Sequence, residues 1–239
     1  MTDPEFSFHD RRHAGRVLAE RLAHYRGRAG LLVLALPRGG VVVGFEVARA
    51  LGAALDIMVV RKLGFPGHEE YAMGAIASGP SGGVQVMNSL TGHGIKPAAL
   101  AAVLARERAE LIRREQRYRP QRPALPLQGR SVIVVDDGLA TGATMRAAVM
   151  AIRQQQPLHL AVAVPVGAEE SCAALRQQAD EVICAEMPDP FHAIGLWYED
   201  FAQTTDAEVC GLLEQAWQEH AMDTPESMKV PTRRAQSPE

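Results

Sequence analysis

The sequence has few cysteines, few aromatic residues and little net charge, and each scarcity excludes a class of protein. Three of its 239 residues are cysteines, Cys172, Cys184 and Cys210. So few and so widely spaced, they do not indicate a disulfide-bonded secreted domain, and we expect reduced thiols in a cytoplasmic protein. The formal net charge is −3, and aromatic residues make up only 5% of the chain. We therefore expect no nucleic-acid partner, because a basic surface interleaved with aromatic residues is missing.

Several common motifs are also missing. No stretch of 18 uninterrupted apolar residues occurs, so no membrane span or membrane partner is expected. Residues 1–5 carry no basic region before an apolar run, and a signal peptide is not expected. The cysteines and the eight histidines show no metal-ligand spacing. Neither G-x-x-x-x-G-K-[ST] nor G-x-G-x-x-G after a strand is present, which excludes two frequent phosphate-binding motifs.

The remaining pattern is typical of an α/β protein. Helical periodicity or strand-like apolar runs alternate along residues 10–220, which predicts an open, mainly parallel twisted sheet with helices on both faces. Helices are predicted at 10–26, 42–51, 97–118, 143–155, 168–178 and 206–220, and strands at 31–36, 55–60, 72–77, 84–87, 131–135, 159–164 and 181–185. We expect one domain over residues 1–220. The polar, proline-containing segment 221–239 is expected to be a disordered tail.

Residues 132–145, Val-Ile-Val-Val-Asp-Asp-Gly-Leu-Ala-Thr-Gly-Ala-Thr-Met, are the most informative stretch. A buried strand ends in Asp136 and Asp137, whose carboxylates can accept hydrogen bonds from a ribose diol. The following loop enters a helix, and helix N-termini bind anions. The loop residues with a predicted role are Gly138, Ala140, Thr141, Gly142, Ala143 and Thr144. Diol acceptors beside a phosphate site predict a sugar phosphate ligand, although a plain Asp-Asp-Gly turn before a helix is the structural alternative.

This stretch resembles the phosphoribosyl-diphosphate (PRPP) loop of the type I phosphoribosyltransferases. In that family a hydrophobic strand, two acidic residues and a Thr-Gly-rich phosphate loop follow one another in this order. The resemblance covers about residues 10–220, and it implies the family's α/β fold with a small hood over the acceptor, here including about residues 186–205.

Pro37-Arg38-Gly39-Gly40 follows the first predicted strand and should open on the same edge of the sheet. Arg38 can donate two hydrogen bonds to a diphosphate, and the glycines leave their backbone amides accessible. The segment resembles the family's pyrophosphate loop, which often holds a strained peptide bond. Taken alone, it could equally be an ordinary turn between a strand and a helix.

Arg61 and Lys62 end the next predicted strand and could neutralise phosphate charge. In related enzymes a basic pair here precedes a mobile catalytic loop, and residues 63–71 have the composition of such a loop. Glu70, or Glu69 beside it, could then act as a general acid or base. The alternatives are a solvated charge pair and solvent-facing glutamates.

Residues 189–201 form an aromatic cluster between the last strand and the last helix. Phe191 and Trp197 are our candidates for stacking on a planar acceptor. A small satellite core under the hood is the alternative.

The resemblance implies transfer of the 5-phosphoribosyl group from PRPP to an acceptor, expected to be a nitrogenous base, with release of diphosphate. It also implies Mg²⁺, bound indirectly by Asp136 and Asp137 through PRPP or water, and a homodimer. Asp136, Asp137, Arg38 and Lys62 would be the catalytic residues, with Glu70 as a further candidate. Family members that act on 6-oxopurines carry a third acid where this chain has Ala140, which argues against hypoxanthine or guanine.

Two questions stay open at the level of sequence. The Asp-Asp-x-Leu-Ala-Thr-Gly run and the Arg-Lys pair look more like adenine-type enzymes, but Phe65-Pro66 and His68-Glu69-Glu70 depart from them, so the acceptor is not assigned. A PRPP-binding regulatory protein without turnover is the alternative to an enzyme. Order in residues 61–71 is the feature expected to discriminate, because a catalyst needs a loop that closes and excludes water.

Overall fold

A five-stranded parallel sheet forms the centre of the protein in a computed structural model that describes residues 7–65, 68–79, 83–87, 96–120 and 122–223. In chain order the strands are β1 (Leu32–Ala35), β2 (Ala54–Ile57), β3 (Val60–Phe65), β4 (His68–Ala77), β5 (Val84–Met87), β6 (Ser131–Val135), β7 (His159–Val166) and β8 (Glu181–Glu186). The α-helices are α1 (Arg11–Arg21), α2 (Gly39–Leu51), α3 (Pro97–Tyr118), α4 (Ala143–Gln154), α5 (Glu169–Leu175) and α6 (Asp206–Asp223). Short 3-10 helices lie at Ala23–Tyr25 and Ile194–Trp197.

The strand order of the central sheet is β2-β1-β6-β7-β8. The chain first moves outward from β1 to β2 and later returns to the other side of β1 with β6. The connections after β1 and β6 therefore run in opposite directions, and their starting points leave a crevice between the two strand ends. The parallel sheet, flanked by helices, confirms the predicted fold class.

The sheet is buried on both faces, which explains its continuous apolar strands. Val33 and Ala35 of β1 point into a core shared with α1, α2 and α6, whereas Leu32 and Leu34 point into a second core with α4 and α5. The predicted first helix begins as expected, since the Asp10 carboxylate accepts a 2.7 Å hydrogen bond from the backbone N–H of His13.

A second sheet corrects the prediction for residues 55–71. Instead of one strand over 55–60 and a loop over 61–71, β2 ends at Ile57 and the chain enters the antiparallel sheet β3-β4-β5. This sheet packs against α3 and α4 and buries Leu63 and Met73. Its burial and pairing outweigh the local glycine and proline content from which a loop was predicted.

Smaller differences follow from packing at the ends and edges of helices. Ile112 of α3 is 38% exposed, and α6 continues to Asp223 rather than ending near residue 220. The strands predicted at 72–77 and 84–87 pair antiparallel as β4 and β5, although residues 80–82 between them lie outside the described residues. The same holds for residues 224–239 of the predicted tail. Among the described helices, none combines the length and apolarity needed to cross a bilayer.

Candidate active site

The two loops predicted to bind substrate meet at the carboxyl ends of β1 and β6. These strands are neighbours in the sheet, with Ala35 in register with Val135. Past the strand ends, the backbone N–H of Leu36 still donates to the carbonyl of Val135 over 2.9 Å. The segments 37–40 and 136–144 therefore start side by side in the crevice where open α/β sheets bind ligands.

Asp136 and Asp137 form a coupled acidic pair at the end of β6. The backbone N–H of Asp137 donates to the Asp136 carboxylate over 2.9 Å. Burial, and next the charge of Asp137, raise the pKa of Asp136 well above its ordinary value. The pair therefore holds a proton more readily than two exposed aspartates would.

The segment 37–40 packs directly on this acidic pair. The Pro37–Arg38 peptide bond is cis, and α2 begins at Gly39. A Cβ atom on Gly39 would lie 1.9 Å from the Asp137 Oδ2 atom, and one on Gly40 would lie 2.9 Å from the carbonyl oxygen of Val135. Only glycine permits this approach, so the two adjacent glycines place one predicted loop against the other.

Arg38 is half-buried at the start of α2, and its guanidinium makes no hydrogen bond or ion pair within the described part of the chain. Its positive charge lowers the pKa values of both Tyr118 and Asp206, although larger effects dominate at each residue. The side chain thus keeps its hydrogen-bond donors available for a ligand.

The Thr-Gly loop is held by contacts with β7 and α5, and it leads into α4. Leu139 pairs with the strand end of β7, donating to the Val166 carbonyl over 2.9 Å. The Ser171 hydroxyl donates to the carbonyl of Ala140 over 2.5 Å. Gly142 takes a left-handed conformation, with φ of 67°, and α4 starts at the next residue. Thr141 is exposed and Thr144 is half-buried.

The first turn of α4 has free backbone donors. The earliest backbone hydrogen bond closing the helix runs from the N–H of Arg146 to the carbonyl of Gly142, over 2.8 Å. The N–H groups of Ala143 and Thr144 precede it and have no partner within the helix, as at every helix N-terminus. This end of α4 can therefore bind an anion.

The basic pair does not end a strand of the central sheet, contrary to the prediction. Arg61 and Lys62 are part of β3. Arg61 donates two hydrogen bonds, of 2.9 and 2.7 Å, to the nearly buried Glu107 carboxylate. Lys62 is exposed and has no ion-pair partner among the described residues. The backbone of Glu69 and Glu70 lies in β4, and their side chains are outside what the structure describes.

The predicted aromatic cluster packs with the N-terminal segment beside the acidic pair. Phe8 and Tyr198 are buried and pack as a tilted ring pair, with centroids 5.4 Å apart. Phe191 and Trp197 are half-buried against them. The Trp197 Nε1 donor is buried and has no hydrogen-bond partner among the described residues. Both predicted stacking residues thus lie in the satellite core named as their alternative, and one retains an unused donor.

The acidic loop is also contacted by three residues that were not predicted as site residues: Arg11, Tyr198 and Ile194. Arg11 Nε donates to Asp137 Oδ2 over 2.7 Å, and the Tyr198 hydroxyl donates to the Asp137 carbonyl over 2.6 Å. Ile194 packs so closely that a Cβ atom on Gly138 would lie 2.5 Å from its Cγ2 atom. The contacts of Arg11 and Tyr198 join residues 126 and 61 positions apart, and no local motif marks them.

Comparison with known proteins agrees with this architecture. Residues 9–199 match the model of the phosphoribosyl transferase domain, and the chain belongs to this family. A Mycobacterium tuberculosis H37Rv protein, whose name assigns it a phosphoribosyl transferase activity provisionally, is 45% identical over 216 residues, which are 90% of this chain and 48% of that protein. The chain thus spans about half of that relative's length. The crystal structure of the protein TT1426 from Thermus thermophilus superposes with a TM-score of 0.78 at 44% identity, covering 87% of this chain and 98% of the other.

Proposed function

We propose that the protein transfers the 5-phosphoribosyl group of PRPP to a nitrogenous base and releases diphosphate. The observation that carries this proposal is the contact between segment 37–40 and the acidic pair, because Gly39 has room for no side chain against Asp137. A ribose held by the acidic pair would place its C1 substituent beside Arg38. Membership of the phosphoribosyl transferase family supports the same assignment.

Each part of PRPP has a matching group in the crevice. The N–H groups at the start of α4, with the hydroxyls of Thr141 and Thr144, would bind the 5-phosphate. Asp136 and Asp137 would accept hydrogen bonds from the ribose hydroxyls. The leaving diphosphate would be held by Arg38 and by the backbone amides of Gly39 and Gly40.

The other three predicted residues, Lys62, Arg61 and Glu70, differ in their proposed roles. Lys62 is unpaired among the described residues and is proposed to assist at the diphosphate. Arg61 is not included, because its guanidinium is committed to Glu107 by two hydrogen bonds. Glu70 stays a prediction as a general acid or base.

In the proposed reaction the bond from C1 of the ribose to the diphosphate oxygen breaks, and a bond from C1 to the acceptor nitrogen forms. The electron pair of the broken bond leaves with the diphosphate, and the acceptor loses a proton. Positive charge develops on the ribose, close to the carboxylates of Asp136 and Asp137. Fixed negative charge at that point stabilises the transition state without reorganisation, so positioning and electrostatics would supply most of the rate.

The donor set fits a magnesium ion that is bound together with substrate. Asp136 and Asp137 supply the oxygen ligands that magnesium prefers. No cluster of three or more His, Cys, Asp or Glu side chains able to hold a metal occurs within the described ranges, which suits an ion that takes its other ligands from PRPP and water. When bound, magnesium would make the diphosphate a better leaving group.

The acceptor would lie between the crevice and the aromatic cluster. Phe191 or Trp197 is proposed to contact it, and the unused Nε1 donor of Trp197 could serve an acceptor nitrogen or oxygen. Ala140, at the position of the third acid of 6-oxopurine enzymes, is exposed and offers no carboxylate.

Calorimetric titration with PRPP, with and without magnesium, tests the proposal. Binding that requires magnesium supports it, and diphosphate release should then be screened against adenine and other bases. Binding without turnover on any base would instead favour the PRPP-binding regulator. No binding at millimolar PRPP would rule out both. The double variant Asp136→Asn/Asp137→Asn should be folded and should not bind, and retained affinity in that variant would contradict the site assignment.

A further inference from the structure

Arg11 makes three contacts at once, and together they fix one carboxylate of the acidic pair. Its Nε donates to Asp137 Oδ2 over 2.7 Å, and its Nη1 donates to the backbone carbonyl of Ala202 over 2.7 Å. Its guanidinium lies 3.8 Å from the centroid of the Phe201 ring. Only the planar guanidinium can donate in two directions while one face stacks on an aromatic ring.

This ion pair is shielded from water. The Arg11 and Asp137 side chains are only 11% and 16% exposed, whereas most surface ion pairs are free to rearrange. A shielded, charge-assisted hydrogen bond holds its partner in one rotamer. With Oδ2 occupied by Arg11, Asp137 is left with Oδ1 and the second lone pair of Oδ2 for any ligand.

We propose, on the basis of the proposed function, that Arg11 is a positioning residue. It orients Asp137 for the ribose hydroxyls and joins the ribose site to the hood segment 198–202. The joining follows from the Ala202 and Phe201 contacts, which belong to the same segment as Tyr198. The Tyr198 hydroxyl holds the backbone of Asp137 while Arg11 holds its side chain. Neither residue needs to touch PRPP for this role.

The test compares wild type, Arg11→Gln, Arg11→Lys and Arg12→Gln by calorimetry with PRPP and magnesium, and with ribose 5-phosphate and diphosphate as separate ligands. Thermal unfolding is the folding check. Arg12 is the matched control, because it pairs with Glu46 on α2 and its loss leaves Arg49 on the same carboxylate. We expect Arg11→Gln to raise the dissociation constants for PRPP and ribose 5-phosphate about tenfold or more, as removal of an orienting partner does at other sites. Its affinity for diphosphate should stay near that of wild type, because Asp137 is proposed to bind the ribose. Arg12→Gln should match wild type with all three ligands.

Arg11→Lys separates charge from geometry. Lysine keeps the cation but cannot reproduce the two-directional donation, so the affinity of this variant for PRPP should drop several-fold. If Arg11→Gln does not fold, this variant decides, and wild-type affinity in Arg11→Lys would overturn the proposal.

Unchanged or tighter PRPP binding by folded Arg11→Gln would also overturn it, since Arg11 would then be structural or would compete with the ribose. The proposed function is read separately, from wild type. If wild type does not bind PRPP, the proposed function and this inference fall together. If wild type binds and Arg11→Gln binds equally well, only the role of Arg11 is wrong.

Discussion

The hydroxyl of Tyr198 donates a 2.6 Å hydrogen bond to the backbone carbonyl oxygen of Asp137. Tyr198 is buried, and burial is the main reason why its pKa is raised, so the hydroxyl stays protonated and remains a donor over the physiological pH range. The bond links the aromatic cluster to the loop that carries the acidic pair. A change in the cluster should therefore alter the position of Asp137 at the proposed ribose site.

Tyr198→Phe removes this donor and leaves the Asp137 carbonyl without its partner. An unpaired buried acceptor costs about 1–3 kcal/mol, so the free energy of unfolding should fall by that amount in urea denaturation, and PRPP affinity should fall as well. The control is Tyr25→Phe, which removes a hydroxyl that bonds Glu181 and His159 at the opposite edge of the sheet. That control should lose stability but keep its PRPP affinity. Equal affinity in both variants would contradict a link between the cluster and the pair.

Asp136→Asn should stabilise the protein at neutral pH. Burial and Asp137 raise the pKa of Asp136 in the folded state, so its ionised form opposes folding. This cost is absent below the unfolded-state pKa of about 3.9 and grows as the pH rises toward the folded-state value. Thermal unfolding should thus show the variant above wild type at pH 7, with the difference vanishing near pH 3. A constant difference across this range would mean that Asp136 is not the group that titrates.

Gly39→Ala should disrupt the contact between the two loops. Its Cβ would lie 1.9 Å from Asp137 Oδ2, and relieving such an overlap typically costs about 1–3 kcal/mol. We expect lower stability and loss of PRPP binding. Gly211→Ala is the matched control, because nothing lies within 4 Å of the added Cβ on α6, and it should be neutral or stabilising by up to about 1 kcal/mol. A Gly39→Ala variant with normal PRPP binding would show that the loops need not touch.

Arg38→Ala should weaken diphosphate binding far more than ribose 5-phosphate binding. A charge-assisted hydrogen bond contributes about 1.5–3 kcal/mol, which corresponds to a loss of about 10- to 100-fold in diphosphate affinity. Competition calorimetry with the two ligands measures both constants. Arg16→Ala, on the exposed face of α1, should change neither. Equal losses for both ligands would argue against a role of Arg38 at the leaving group.

Local patterns were sufficient to predict the central sheet and its helices. The apolar runs 31–36 and 131–135 gave β1 and β6 nearly to the residue, and helix 97–118 matches α3. The loop predicted for the region after β2 was wrong for a physical reason. Glycine and proline in residues 61–71 favour a loop locally, but pairing of β3 with β4 and burial of Leu63 and Met73 depend on partners distant in sequence.

The same division applies to the candidate site. Asp136, Asp137 and the Thr-Gly loop form one contiguous stretch, so their chemistry could be inferred from order and spacing alone. Arg11 reaches Asp137 across 126 residues, and its role depends on how α1 packs over the sheet. The ion pair of Arg61 with Glu107 was unpredictable for the same reason, since an adjacent Arg-Lys pair carries no information about which partner each cation finds.

The parallel bridge between Phe8 and Tyr198 has a consequence for how the protein is synthesised. The backbone N–H of Phe8 donates to the Trp197 carbonyl, and the N–H of Asp200 donates to the His9 carbonyl. Phe8 and His9 thus leave the ribosome almost 190 residues before the segment with which they pair. The central strands can associate earlier, but Asp137 gains its Tyr198 contact and Arg11 its Ala202 contact only after that late segment has left the exit tunnel. A nascent chain stalled before residue 197 would carry the whole PRPP-loop motif and still lack the completed site.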